Sequence, residues 1–204
     1  MKYVIMADGK GLRWGYYNNM PKHLIKINEE TLLERTVRLI KVNDLSGKII
    51  ITSHDPRYEV AGAIRHEPKN NILEIDRFTQ ELIEDNTCFL YGDTYYSEKA
   101  MNKIFTAKTK DILFFGTKEK IIAIKIANAH LFKEHVDRVK ALYLNRKIKN
   151  CIGWQVYQSF VHLPFDKKII ADKYILIDDE TCDFNSPEEL EDKMIFLENN
   201  TEIG

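Results

Sequence analysis

The sequence predicts an α/β fold, and three observations predict it. Short apolar runs alternate with amphipathic stretches of helical period from one end of the chain to the other. No low-complexity linker or internal repeat interrupts that alternation. The chain has 204 residues, 44 % of them hydrophobic. At that size roughly 70 % of the unfolded surface is buried on folding, enough for one self-sufficient core, so a single domain over residues 1–204 is expected.

Tyr3 to Met6 reads as a first buried strand, followed by a glycine-bearing loop that runs to Pro21. Thr31 and Glu34 stand in capping-box spacing, which starts a helix with Leu33, Val37 and Ile40 on its buried face. Lys48 to Thr52 reads as a second strand and Val60 to His66 as a third. Ile75, Phe78 and Leu82 mark a helix leading into the strand Thr87 to Tyr91, which Gly92-Asp93 ends. Ser97 is placed to cap a short helix carrying Met101, Ile104 and Phe105. Asp111 to Gly116 and Ile121 to Ala127 read as two strands around a lysine-rich turn. A turn that short suits an antiparallel pair, so the expected sheet is mixed, mostly parallel and flanked by helices. Asn128 to Leu144 and Ile152 to His162 read as helices, Tyr174 to Ile177 as a late strand, and Ser186-Pro187-Glu188-Glu189 as a helix start.

Composition removes several function classes. Thirty basic side chains against 31 acidic ones give a net charge of −1, without the broad basic field that unspecific nucleic-acid binding needs. The most basic stretch, Arg138 to Lys149, is helical in pattern and reads as a solvated face. Cys88, Cys151 and Cys182 are odd in number and lack zinc-type spacing, so reduced thiols and a cytoplasmic setting are expected. The apolar runs are strand-sized and fall well short of the roughly 20 residues of a membrane span, so no membrane insertion is expected.

The most informative segment is Ala7-Asp8-Gly9-Lys10-Gly11-Leu12-Arg13, a loop directly after the first strand, with Pro21-Lys22 downstream. Glycines let backbone N–H groups converge on an anion, and Arg13 and Lys22 add charge; the same residues also describe a tight turn with exposed cations. Neither G-x-G-x-x-G nor G-x-x-x-x-G-K-[ST] is present, so the dinucleotide and P-loop inferences fail. Asp93 alone reads as a turn or helix-cap aspartate, and Asp183 and Asn185 as capping residues before a Ser-Pro helix start. Asn71 lies in a polar stretch, Asn70 to Arg77, suited to reading a base or an acceptor, or to a solvated turn. Gly153-Trp154-Gln155 could line an acceptor pocket, although Trp154, Tyr157 and Val161 have core spacing. His54 and His66 stand at strand ends as possible contacts, whereas His130 and His135 are five apart and do not form a helical metal pair.

Taken together, Ala7, Gly9, Gly11 and Arg13 after a strand, then Pro21-Lys22 and Leu24, then the Thr31-Leu32-Leu33-Glu34-Arg35 helix carry a family resemblance. This arrangement resembles the amino-terminal signature of nucleoside-diphosphate-sugar pyrophosphorylase-like nucleotidyltransferases, a strand ending in small residues, G-x-G-x-R and a downstream P-K. Leu90-Tyr91-Gly92-Asp93 resembles the family's strand-end G-D, and Asp183 to Leu190 resembles its carboxy-terminal D-x-[ND]-[TS]-P-E-[DE]-L element. The resemblance implies a single-domain, Rossmann-like, glycosyltransferase-A-type fold. It also implies Mg²⁺-dependent transfer of a nucleotidyl group from a nucleoside triphosphate to a phosphorylated sugar or small alcohol, with release of pyrophosphate.

Carried over residue by residue, Gly9, Gly11 and Arg13 would wrap the nucleotide phosphates, with Ala7, Asp8 and Lys10 in the same loop; Asn71, from the polar stretch, is a further candidate nucleotide contact. Lys22 would meet the α-phosphate, and Asp93 with Asn185 or Asp183 would bind magnesium. Asp8 departs from the pattern, because the family commonly has a small residue there; its carboxylate either faces the ribose or base or pairs with Arg13. The short chain is similar to phosphocholine cytidylyltransferases and molybdopterin nucleotidyltransferases, which favours CTP and a role in supplying polysaccharide precursors. Two other readings compete. A glycosyltransferase of the same fold would use an Asp-x-Asp strand end, and Gly92-Asp93-Thr94-Tyr95 lacks the second aspartate. An inactive nucleotide-binding module fits poorly with intact Arg13, Lys22 and Asp93, while Asp8 leaves room for it.

Overall fold

Strand β1 (Lys2–Met6) is apolar on both faces, Tyr3 and Ile5 to one side and Val4 and Met6 to the other, and it runs through the middle of the protein. The computed structural model describes residues 1–9, 11, 14–15, 17 and 20–193. After the glycine loop come a 3-10 turn at Lys22–Leu24 and two short strands, β2 (Lys26–Ile27) and β3 (Glu30–Thr31), which pair antiparallel. Helix α1 (Leu32–Asn43) begins with the expected capping box: the Glu34 N–H donates to Thr31 Oγ1 at 3.1 Å, and the Thr31 N–H donates to Glu34 Oε2 at 2.8 Å. Such a cap stabilises a helix by about 1 kcal/mol.

The chain continues through β4 (Lys48–Thr52), β5 (Ile64–His66), β6 (Thr87–Tyr91), β7 (Thr94–Tyr95) and α2 (Glu98–Thr106), which Ser97 caps by accepting from the Ala100 N–H. It closes with β8 (Ile112–Gly116), β9 (Ile121–Ile126), α3 (Ala129–Leu144), α4 (Gly153–Phe160), β10 (Tyr174–Leu176) and β11 (Cys182–Asp183). A helical segment opens at Pro187, where the Ser-Pro start placed it.

Among the described residues, seven strands form one sheet in the order β10-β8-β9-β6-β1-β4-β5. Pairing is parallel except where β9 runs antiparallel to both β6 and β8, so the sheet is mixed and mostly parallel. Helices α1 and α2 cover one face, burying Leu33, Val37, Ile40, Met101 and Ile104 on Ile5, Ile51, Leu90 and Phe115. Helices α3 and α4 cover the other, with Phe132, Val136, Trp154 and Tyr157 on Phe89, Phe114 and Ile124. Both layers are sequence period made solid, since alternate strand residues feed opposite cores. Cys88, Cys151 and Cys182 are unpaired, and no helix among the described residues is long and apolar enough to cross a membrane.

Three elements differ from expectation. The third strand covers only Ile64–His66, because the chain turns first, with the Ala63 N–H donating to Val60 O at 3.1 Å. The apolar positions Ile75, Phe78 and Leu82 sit on two 3-10 turns, Glu74–Phe78 and Gln80–Leu82, rather than on one α-helix. Thr79, with φ of 38°, interrupts them in the left-handed region, where an α-helix cannot continue. The basic stretch is helical only as far as Leu144.

Candidate functional site

The sheet order places β1 between β4, which follows it, and β6, which the chain reaches later on the other side. Such a switch in direction opens a crevice at the carboxyl ends of the two strands, where ligands bind in open α/β sheets. Here those ends carry the Ala7–Gly11 loop and Gly92-Asp93. Gly92 is required by proximity. A Cβ at that position would lie 2.8 Å from Met6 O, 3.1 Å from Ala7 Cβ and 3.2 Å from His23 Cδ2. Its N–H donates to Met6 O at 2.9 Å, fixing the start of the Asp93 loop against β1.

Asp93 is seated from a second direction. Strand β11 pairs with β7 so that Asp183 lies opposite Thr94, and the Phe184 N–H donates to Asp93 O at 3.0 Å. Phe184 is fully buried with Trp14, Leu32 and Tyr95. From α1, Arg35 stacks 4.2 Å from the Tyr95 ring and donates from Nε to Tyr96 O at 3.0 Å. The Thr31 to Arg35 helix thereby braces the ribbon that holds Asp93 beside Asp183 and Asn185.

Lys22, in its 3-10 turn, forms an ion pair with the Asp93 carboxylate, both side chains being largely covered. Burial pushes the Asp93 carboxyl up most strongly of any single influence, but the Lys22 ammonium, His23 and Arg77 together hold the group below its usual range. Lys120 Nζ donates to both carboxylate oxygens of Asp183 at 2.7 and 2.8 Å, and Asn185 Nδ2 donates to Asp183 Oδ2 at 2.6 Å. Asp93, Asp183 and Asn185 offer two carboxylates and one amide, hard oxygen donors that suit Mg²⁺, an ion that keeps several waters. No group of three or more His, Cys, Asp or Glu able to hold a metal occurs among the described residues, so this set is lean in carboxylates. The ammonium groups of Lys22 on Asp93 and of Lys120 and Lys193 on Asp183 mark the same spots as favourable for positive charge.

Lys22 stands where three cavities adjoin. One, of about 350 Å³, is lined by Asp8, Gly9, Gly11, Asn71 and Arg77; a second, of about 270 Å³, by Ala7, His54 and Tyr58. The third, of about 290 Å³, is bounded by Tyr91, Asp93, Trp154 and Asp183. Sequence reasoning thus placed Ala7, Asp8, Gly9, Gly11, Lys22, Asn71, Asp93, Asp183 and Asn185 in one crevice, and the structure brings all of them there. Lys10 and Arg13 lie outside the described residues.

Asp8 has a role beyond the two alternatives read from the sequence. Its carboxylate accepts from the His54 N–H at 2.9 Å and lies 2.8 Å from His54 Nδ1, while Asn71 Nδ2 donates to Asp8 Oδ2 and to Asp8 O at 2.7 Å each. One side chain therefore ties together the loops after β1 and β4 and the segment before the 3-10 turns. His66 instead pairs with Glu81 at 3.2 Å, and His135 is buried against Ser159 Oγ at 2.9 Å. Arg77, Glu74, Lys120 and Lys168 also line the crevice. No motif flagged them as a set, since they come from separate loops with no fixed spacing.

No protein-family model and no curated protein sequence matches the chain. Solved structures do. The CTP:phosphocholine cytidylyltransferase of Streptococcus pneumoniae is 14 % identical, with 96 % of this chain and 98 % of that one superposed at a TM-score of 0.58. The inositol-1-phosphate CTP transferase of T. maritima is 11 % identical, covering 95 % and 94 %, at 0.57. A Bacillus anthracis protein assigned as a glucose-1-phosphate thymidylyltransferase is 13 % identical, covering 96 % and 94 %, at 0.63. The chain has the fold of sugar- and alcohol-phosphate nucleotidyltransferases over nearly its whole length.

Proposed function

We propose that the protein transfers a nucleotidyl group from a nucleoside triphosphate to a phosphorylated small molecule and releases pyrophosphate. The observation that carries this reading is the convergence of Lys22, Asp93, Asp183 and Asn185, from three separated chain segments, in the crevice at the ends of β1 and β6. In the reaction a phosphate oxygen of the acceptor attacks the α-phosphorus in line as the bond to the pyrophosphate oxygen breaks. Both reactants are anions, so the barrier is largely electrostatic and no protein nucleophile is needed. The loop of Gly9 and Gly11 supplies backbone N–H groups to the triphosphate, and Lys22 places its ammonium against the α-phosphate as charge builds. Asp93, with Asn185 or Asp183, would hold Mg²⁺, which would supply further positive charge to the phosphates.

CTP is the nucleotide we favour, on the likeness to the two cytidylyltransferase structures. The three thiols suit a cytoplasmic setting, and the product would be a precursor for polysaccharide assembly. The test is pyrophosphate release with each of the four nucleoside triphosphates, plus a pool of phosphorylated sugars and alcohols, with and without magnesium. Release that needs nucleotide, acceptor and metal is expected; no release in any combination overturns the reading.

A finer prediction separates the metal-site residues. Asn185→Ala is expected to raise the magnesium concentration needed for half-maximal activity more than Asp183→Ala does. Asp183 is engaged by Lys120 and serves as the brace for the Asn185 amide. Titrating magnesium against both variants decides it, and the opposite ranking hands the ligand role to Asp183.

A further inference from the structure

Asp8 puts a carboxylate where the family pattern has a small residue, in a loop read as wrapping phosphates. On charge alone that opposes an anionic ligand. Both of its oxygens, however, are engaged by the protein, and the side chain is only 10 % exposed. Oδ1 accepts from the His54 N–H, while Oδ2 faces His54 Nδ1 and the Asn71 amide.

Each partner stands at the loose end of a wall of the crevice. Strands β1 and β4 are last joined by the Ala7 N–H on Thr52 O at 3.2 Å, and past that bond the Asp8–His54 contact holds their two loops together. Asn71 opens the segment that carries Glu74 and Arg77 into the crevice. The far end of this segment is firmly tied: the Ile72 and Leu73 N–H groups donate to Asp76 Oδ2 at 3.1 and 2.8 Å, and Lys140 of α3 donates to Asp76 Oδ1 at 2.8 Å. Its near end has little apolar anchorage, since Ile72 is 78 % exposed. The Asn71 amide on Asp8 fixes that end.

We propose that Asp8 is a positioning residue: it touches no ligand, and its clasp of His54 and Asn71 holds the glycine loop at the spacing that receives a triphosphate. This rests on the nucleotidyl-transfer reading and adds a residue to it.

The test is calorimetric titration of the intact chain with tripolyphosphate and magnesium, a probe that has the phosphates of a nucleotide but neither ribose nor base. Asp8→Ala is expected to weaken its binding about tenfold, and Asp8→Asn and His54→Ala about threefold each. The sign for Asp8→Asn decides between roles, because removing a like charge from beside an anion would by itself tighten binding. Asp8→Ala combined with His54→Ala is expected to bind no more weakly than Asp8→Ala alone, since both changes open the same clasp. If Asp8→Ala fails to fold by circular dichroism, the near-isosteric Asp8→Asn takes its place in that comparison. In pyrophosphate release, Asp8→Asn is expected to raise the nucleotide KM about threefold and to leave kcat within about twofold, because Lys22 and Asp93 are seated by other bonds. No binding to the wild type, unchanged or tighter binding in Asp8→Asn, losses that add in the double variant, or a fall in kcat without a rise in KM overturns the proposal. Absence of pyrophosphate release with the tripolyphosphate pattern intact overturns nucleotidyl transfer and leaves the clasp standing.

Discussion

Asp93→Asn is expected to lower kcat for magnesium-dependent pyrophosphate release by on the order of a thousandfold while the protein stays folded. The substitution keeps the size of the side chain and removes its charge. The backbone around it is held independently, by the Gly92 N–H on Met6 O and the Phe184 N–H on Asp93 O, so the loop has no reason to move. Losing the partly covered pair with Lys22 costs about 1 to 3 kcal/mol, within the stability of a domain of this size. The measurement pairs steady-state rates with circular dichroism and thermal unfolding. A folded Asp93→Asn protein with near-normal turnover removes Asp93 from the metal role.

Lys22→Met is expected to cost about 3 kcal/mol of transition-state stabilisation, on the order of a hundredfold in kcat, with a smaller change in nucleotide affinity. Lys22 is preset rather than mobile at its root. Pro21 fixes the entry to the 3-10 turn, and His23, buried against Tyr58, anchors its middle. Only the methylene stem is free to transfer the ammonium from Asp93 to a phosphate. Arginine at this position should rescue incompletely, because a planar fork cannot put a compact charge at the same point. Unchanged pyrophosphate release in Lys22→Met would place the triphosphate elsewhere.

Six of the seven strands of the main sheet and helices α1 to α4 were legible in the sequence to within a few residues, for a physical reason that differs by element. Strands such as Lys48–Thr52 and Ile112–Gly116 are buried on both faces, so an unbroken apolar run is their signature. Helix α1 advertises itself by a local bond, Thr31 with Glu34. The spacing of Ile75, Phe78 and Leu82 satisfies a 3-10 arrangement as well as an α-helix, and only the left-handed Thr79 decides between them. The corners of the crevice, Lys22, Asp93 and Asn185, were legible because each sits in a short motif. The clasp of Asp8 by His54 and Asn71 was not. Those contacts join residues from loops that only the sheet order brings together, and no spacing rule encodes them.

The buried His23 gives the crevice a proton-linked stability of its own. Burial lowers its imidazole pKa to about 3, against the opposing pull of Asp93 and with Lys22 and Arg77 acting in the same direction as burial. The unfolded chain binds a proton near pH 6.5 and the native protein does not until about pH 3, so the native state is favoured fully above about 6.5 and loses ground as the solution acidifies toward 3. Between about pH 7 and pH 5 the loss amounts to about 2 kcal/mol from this residue alone. His135, also lowered by burial, adds to it in the same sense. Urea unfolding of the wild type and of His23→Gln at both pH values isolates the term: the wild type should weaken on acidification by clearly more than the variant, and equal pH dependence would show that His23 carries no such linkage. Mild acid would then weaken the native state through the residue that anchors the turn presenting Lys22.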